Sequence, residues 1–143
     1  MARGIPATVI RHFQAIPLFA KVSKKGIRAI VHAGTETDVP EGRVICREGE
    51  FGRELYVIVD GTATVTRGGT WLADLGPGDF FGELAFLDGA PRSATVTAKT
   101  PMTVIVLGPR EMDVIVEAEP LITKRLLAAM AHRVRESERA LTH

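Results

Sequence analysis

The chain has 143 residues, about one domain's worth, with 45% hydrophobic and 24% charged residues and a formal net charge of +1 from 18 basic and 17 acidic side chains. That balance excludes a disordered chain and gives no basis for bulk nucleic-acid binding. No run reaches the roughly 18 apolar residues of a membrane span.

One cysteine, Cys46, rules out an internal disulfide and a cysteine-based zinc cluster. It fits a reducing compartment. The start, Met1-Ala2-Arg3-Gly4-Ile5-Pro6, lacks the apolar run of a signal peptide, so the expected location is the cytoplasm.

The first elements in the chain are helical. Val9, Ile10 and Phe13 put apolar groups on one face over Thr8 to Ala15, and Pro17 interrupts that pattern. Ser23 is placed to cap a second helix carrying Ile27, Ile30 and Val31. Gly34 is expected to stop it as a C-cap glycine.

Glycine then marks a change of regime. Eleven of the 14 glycines lie between Gly42 and Gly108, and glycine supplies the positive φ of tight turns. Short β-rich runs sit between them: Val44 to Cys46, Leu55 to Val59, Thr62 to Arg67, Trp71 to Leu75, Ser93 to Ala98 and Met102 to Leu107. Gly68-Gly69 is a hairpin signal, and Gly76-Pro77-Gly78 is a further break. Strands at this spacing predict an antiparallel sandwich or barrel.

The last part is helical again. Pro109 suits the first turn of a helix through Ala118. Pro120 starts a longer one, with Leu121, Ile122, Arg125, Leu126, Ala129, Met130, Arg133 and Val134 at i, i+3, i+4 intervals. Lys124, Arg125, Arg133, Arg135 and Arg139 form a basic edge that reads by default as a solvated face. The divisions are a helical part at about 6–34, β-strands at about 35–108 and closing helices at about 109–141.

Chemistry concentrates in Phe81-Gly82-Glu83-Leu84-Ala85-Phe86-Leu87-Asp88-Gly89-Ala90-Pro91-Arg92-Ser93-Ala94-Thr95-Val96. Gly82 allows close backbone approach. Glu83 to Leu87 is long enough for one helical turn, whose free N–H groups favour an anion. Arg92 can fork two donors onto phosphate oxygens, and Ser93 adds a hydroxyl and an N–H. Ionised Glu83 only accepts, which suits a sugar hydroxyl and not a phosphate. Together they point to a sugar-phosphate ligand.

This segment resembles the phosphate-binding cassette of cyclic nucleotide-binding domains, the family of the catabolite activator protein and the regulatory subunits of cAMP-dependent protein kinase. The likeness rests on Phe-Gly-Glu-x-Ala, a spacer, and Arg-Ser-Ala-x-Val. An upstream stretch also fits: Ile45-Cys46-Arg47-Glu48-Gly49-Glu50-x-Gly52, then Leu55-Tyr56-Val57-Ile58 and Gly61. The resemblance spans roughly Ile16 to Ser137. One departure is Phe86, where the family more often has a smaller aliphatic.

The resemblance implies a mainly β fold: an eight-stranded antiparallel β-roll with N-terminal helices and two C-terminal helices. It implies that Arg92 pairs with the cyclic phosphate and Glu83 takes the ribose 2′-hydroxyl. Gly82, Leu84, Ala85 and Ser93 supply backbone or hydroxyl contacts. Val65 and Leu75 line the base pocket, with Arg133 and Ser137 of the last helix closing over the purine. Ser93 leans toward cAMP, with cGMP as the alternative. The implied role is a regulatory domain whose C-terminal helices move on binding, either stand-alone or part of a larger protein. That helix is also the implied contact for an effector or for a homodimer.

Other classes fit less well. Arg92 alone reads as a surface arginine and Glu83 alone as a first-turn acid; it is their frame that makes them ligand groups. Gly76-Pro77-Gly78-Asp79-Phe80-Phe81-Gly82 has no βαβ context for a dinucleotide loop. A cupin-like enzyme needs a histidine cluster on strands, yet no histidine lies between Gly34 and Ala131. No metal, cofactor or enzymatic activity is expected. Cys46 reads as a small buried hydrophobe. The alternative function is a ligand-silent module that binds a protein through Leu121 to Val134.

Overall fold

The computed structural model describes residues 22–82 and 89–125, together with 11, 14, 127, 128, 131, 132 and 135. The expected helix over Thr8 to Ala15 falls mostly outside them; Arg11 and Gln14 are helical. Helix α1 spans Lys24–Ala33. Ser23 caps it, its Oγ accepting from Gly26 N at 3.0 Å. Ile27 and Ile30 point into the core.

Gly34 ends α1, but not through the left-handed conformation expected of a C-cap glycine. Its φ is −78°, an ordinary extended value. Glycine is needed here for space. A Cβ would collide with Ile105 Cγ2 and lie 3.0 Å from Leu107 Cδ2.

Eight antiparallel strands follow: β1 (Thr35–Val39), β2 (Val44–Cys46), β3 (Leu55–Asp60), β4 (Ala63–Arg67), β5 (Thr70–Leu75), β6 (Phe80–Phe81), β7 (Thr95–Ala98) and β8 (Met102–Leu107). They form two four-stranded sheets, ordered β1-β8-β3-β6 and β2-β7-β4-β5. The fold is mainly β with flanking helices, the architecture that the resemblance implied. Helix α2 (Pro109–Ala118) has its proline in the first turn, and residues 121–125 continue in helix.

Two cores explain the strand sequences. β3 and β8 are apolar on both faces because both faces are covered. Leu55, Val57, Phe80, Ile105 and Leu107 face Ile27, Ile30, Met112, Ile115 and Ile122 of the helices. Ile58, Phe81, Met102 and Val104 join Cys46, Ala63, Val96 and Ala98 between the sheets. Each Val, Leu, Ile, Phe or Met side chain among them contributes roughly 1.5–3 kcal/mol when fully buried.

The β4–β5 hairpin turns through Gly68 and Gly69, at φ 56° and 79°. Two successive positive φ values give the strand-matching twist of a two-residue loop. Arg67 and Thr70 pair directly across it.

Candidate functional site

The site begins where β6 ends. The turn before β6 is locked at both levels. Asp79 N donates to Gly76 O at 3.0 Å, and Gly76 N donates to Asp79 Oδ2 at 2.8 Å. Phe80 and Phe81 then pair with Val57 and Tyr56 of β3. Gly82 follows at φ 88°. A Cβ there would sit 2.6 Å from Glu54 O and 2.7 Å from Arg92 Nη1, so both conformation and space require glycine.

Arg92 lies just before β7 and is only 7% exposed. A buried cation needs partners, and it has them. Nη1 donates to Glu54 O at 3.1 Å and to Gly82 O at 3.2 Å. Nη2 donates to Glu54 Oε2 at 3.3 Å. Its Cζ lies 5.8 Å from the Tyr56 ring centroid. Tyr56 in turn stacks on Phe81, centroids 4.9 Å apart and planes within 10°. The Arg92 backbone is fixed as well: Arg92 N donates to Glu50 O at 2.8 Å, and Gly49 N donates to Arg92 O at 2.9 Å. Arg92 thus ties the loop before β3 to the end of β6.

Ser93 is exposed, and its carbonyl accepts from Arg67 Nε at 2.9 Å. Val65 and Leu75 are half-buried on the inner face of the second sheet, packed on the inter-sheet core. The structure therefore brings Gly82 and Arg92 into contact, sets Ser93 beside them, and keeps Val65 and Leu75 on adjacent strands. Glu83, Leu84 and Ala85 lie outside the described residues, as do Arg133 and Ser137.

Cys46 is 5% exposed, at the inter-sheet core. Burial pushes its thiol up to about 11, against the opposing pull of the Arg92 charge. Burial likewise pushes the Tyr56 hydroxyl up to about 12. These groups are structural in chemistry: neither ionises near neutral pH. Among the described residues no group of three or more His, Cys, Asp or Glu is arranged to hold a metal ion.

Sequence reasoning missed Glu54, and it gave no role to Gly52 or Tyr56. The last two stand in the upstream motif. Nothing local marks Glu54, because its partner lies 38 residues away.

A family model for the cyclic nucleotide-binding domain matches residues 36–119, more than half of the chain. The chain belongs to the cyclic nucleotide-binding domain family. Its relatives include a cyclic nucleotide-gated potassium channel of Rhizobium etli, 38% identical over 120 residues, which cover 82% of this chain and 34% of the channel. Its solved neighbours include the catabolite activator protein of Thermus thermophilus, with TM-score 0.84 and 30% identity over 88% of this chain and 62% of that one. They also include the regulatory domain of Toxoplasma gondii cAMP-dependent protein kinase, solved with cAMP, at TM-score 0.71 and 31% identity over 81% of this chain and 45% of that one. This cyclic nucleotide-binding domain spans about a third of the length of the channels it matches. The named relatives are channels, transcriptional regulators and kinase regulatory subunits. Among the described residues no helix is long and apolar enough to cross a membrane.

Proposed function

We propose that this domain senses cAMP. One observation carries the reading: Arg92 is a buried cation fixed by backbone and side chain at the two ends of its segment, next to Gly82 and followed by Ser93. A guanidinium so placed suits a phosphate better than a neutral ligand. Glu83 takes the ribose 2′-hydroxyl, and Leu84, Ala85 and Ser93 add contacts to the sugar-phosphate. Val65 and Leu75 give the purine an apolar wall, and Arg133 and Ser137 close over it. The relative solved with cAMP supports that choice of nucleotide.

The output is movement of the C-terminal helices. Ile122 is fully buried against the first core, so anything that shifts that core reaches the last helix. A ligand moves such an equilibrium only by binding one arrangement more tightly than the other. The domain is regulatory and not catalytic, works in the cytoplasm, uses no cofactor and does not itself bind nucleic acid.

Two observations favour the second reading, a ligand-silent protein-binding module. Arg92 is already engaged by a carboxylate, and Leu127 of the last helix is 65% exposed. Displacement of a fluorescent cAMP analogue separates the two. Competition by cAMP ahead of cGMP is expected, and Arg133→Ala or Ser137→Ala should change that order. No binding of the analogue would favour the protein-binding module.

A further inference from the structure

The donors of Arg92 can be accounted for one by one. A guanidinium has five N–H groups in one plane. Nη1 commits both of its own to the carbonyls of Glu54 and Gly82. Nη2 commits one to Glu54 Oε2. The remaining pair, on the Nε–Nη2 edge, faces Gly52. A Cβ built on that glycine would lie 2.8 Å from Nη2 and 3.0 Å from Nε, but 3.3 Å from Cζ. A point closer to both nitrogens than to the carbon between them lies off the edge of the plane, not over its face. The Gly52 backbone therefore stands in front of that edge. Among the described groups, no fork of Arg92 is left open to an incoming anion.

These neighbours differ in how easily they can leave. Glu54 O and Gly52 belong to a loop tied down by the Gly49–Arg92 and Arg92–Glu50 backbone hydrogen bonds, and Gly82 O follows β6, which is paired with β3. The Glu54 side chain is 46% exposed, against 6% for that of Arg92. Its carboxylate can turn into water with little desolvation cost, and a half-exposed pair of this kind is weak. Glu54 is the one acceptor that side-chain rotation alone removes.

We propose that Glu54 is an intramolecular competitor for the ligand's phosphate. Its carboxylate holds Nη2 of Arg92, swings into solvent when the phosphate takes that nitrogen, and so sets the affinity of the site. This rests on the reading that Arg92 binds a cyclic nucleotide. It also gives the Glu54–Arg92 pair a purpose that does not require a lost ligand: one anion is exchanged for another, and the buried cation is never left unpaired.

The test is calorimetric titration of cAMP into the wild type, Glu54→Gln and Glu50→Gln. Glutamine keeps the shape and an acceptor but removes the charge that competes. Glu54→Gln should bind about three- to tenfold more tightly, because a charge-assisted hydrogen bond no longer has to be broken. Glu50 is an exposed acid of the same loop, so Glu50→Gln makes the same change in net charge, and it should stay within about twofold of wild type if only the long-range field is altered. Heat denaturation without nucleotide should show Glu54→Gln less stable than wild type, so affinity and stability move in opposite directions. Equal or weaker binding by Glu54→Gln, or an equal gain in Glu50→Gln, overturns the competitor while leaving the cAMP reading intact. Absence of binding in all three folded proteins overturns both.

Discussion

Arg92 Nη1 donates to the Gly82 carbonyl at 3.2 Å, so the two ends of the segment between them are closed by one of its own side chains. The same nitrogen reaches Glu54 O, which joins the loop before β3 to this closure. Local shape and the proposed ligand chemistry therefore depend on the same guanidinium.

Gly82→Ala should destabilise the domain by about 2–4 kcal/mol, because a side chain at positive φ is strained and this Cβ also meets fixed neighbours. Those neighbours are Glu54 O at 2.6 Å and Arg92 Nη1 at 2.7 Å. Denaturant unfolding measures it. A loss below about 0.5 kcal/mol, ordinary surface behaviour, would mean that the closure is not rigid.

Glu83→Ala should weaken cAMP binding much more than binding of 2′-deoxy-cAMP. The analogue has already lost the hydroxyl that the carboxylate accepts from, so nothing further is lost with it. Competition titration with both nucleotides reads the difference. An equal loss for both would remove Glu83 from ribose recognition.

Alkaline stability reports on the inter-sheet core. The Cys46 thiol is raised from 9.0 to about 11 by burial. Between those values the unfolded chain has released a proton that the folded chain still holds. Unfolding is then favoured as pH rises, by about 2–3 kcal/mol over the interval. Below 9.0 both states hold the proton and the effect vanishes. Cys46→Ala should flatten the fall in stability between pH 9 and 10 and lessen it up to 11, leaving the Tyr56 contribution that runs from pH 10 to about 12. Parallel curves for the two proteins would show that the thiol is not buried in solution. Alkylation of Cys46 by a thiol reagent at pH 8 should be slow for the same reason.

The legible parts of this fold are those written in local sequence. Ser23, Gly68-Gly69 and Pro109 each act on the backbone within a few residues of themselves, and each stands where the pattern put it. Six strands were visible as apolar or β-branched runs. β1 was not, because Thr35–Val39 pairs with β8 yet buries only Val39. Its alternation of Thr35, Thr37 and Val39 with Glu36 and Asp38 was the available signal. β6 is two residues long and cannot show a period. Gly34 was legible as a stop but not as a close contact, since the contact is with β8, some 70 residues on. The site divides in the same way. Arg92 and Gly82 are marked by motif, whereas the Glu54 carboxylate that meets Arg92 belongs to a distant loop and carries no local sign.

The central claim is that Arg92 anchors a cyclic nucleotide, and calorimetry of nucleotide-free protein with cAMP, beside Arg92→Ala, tests it most directly. Circular dichroism of the variant keeps loss of fold apart from loss of binding. The account predicts micromolar or tighter binding that the folded variant loses by roughly 2–5 kcal/mol, as expected when a close charge pair loses a partner. Binding of equal strength in wild type and Arg92→Ala would contradict it.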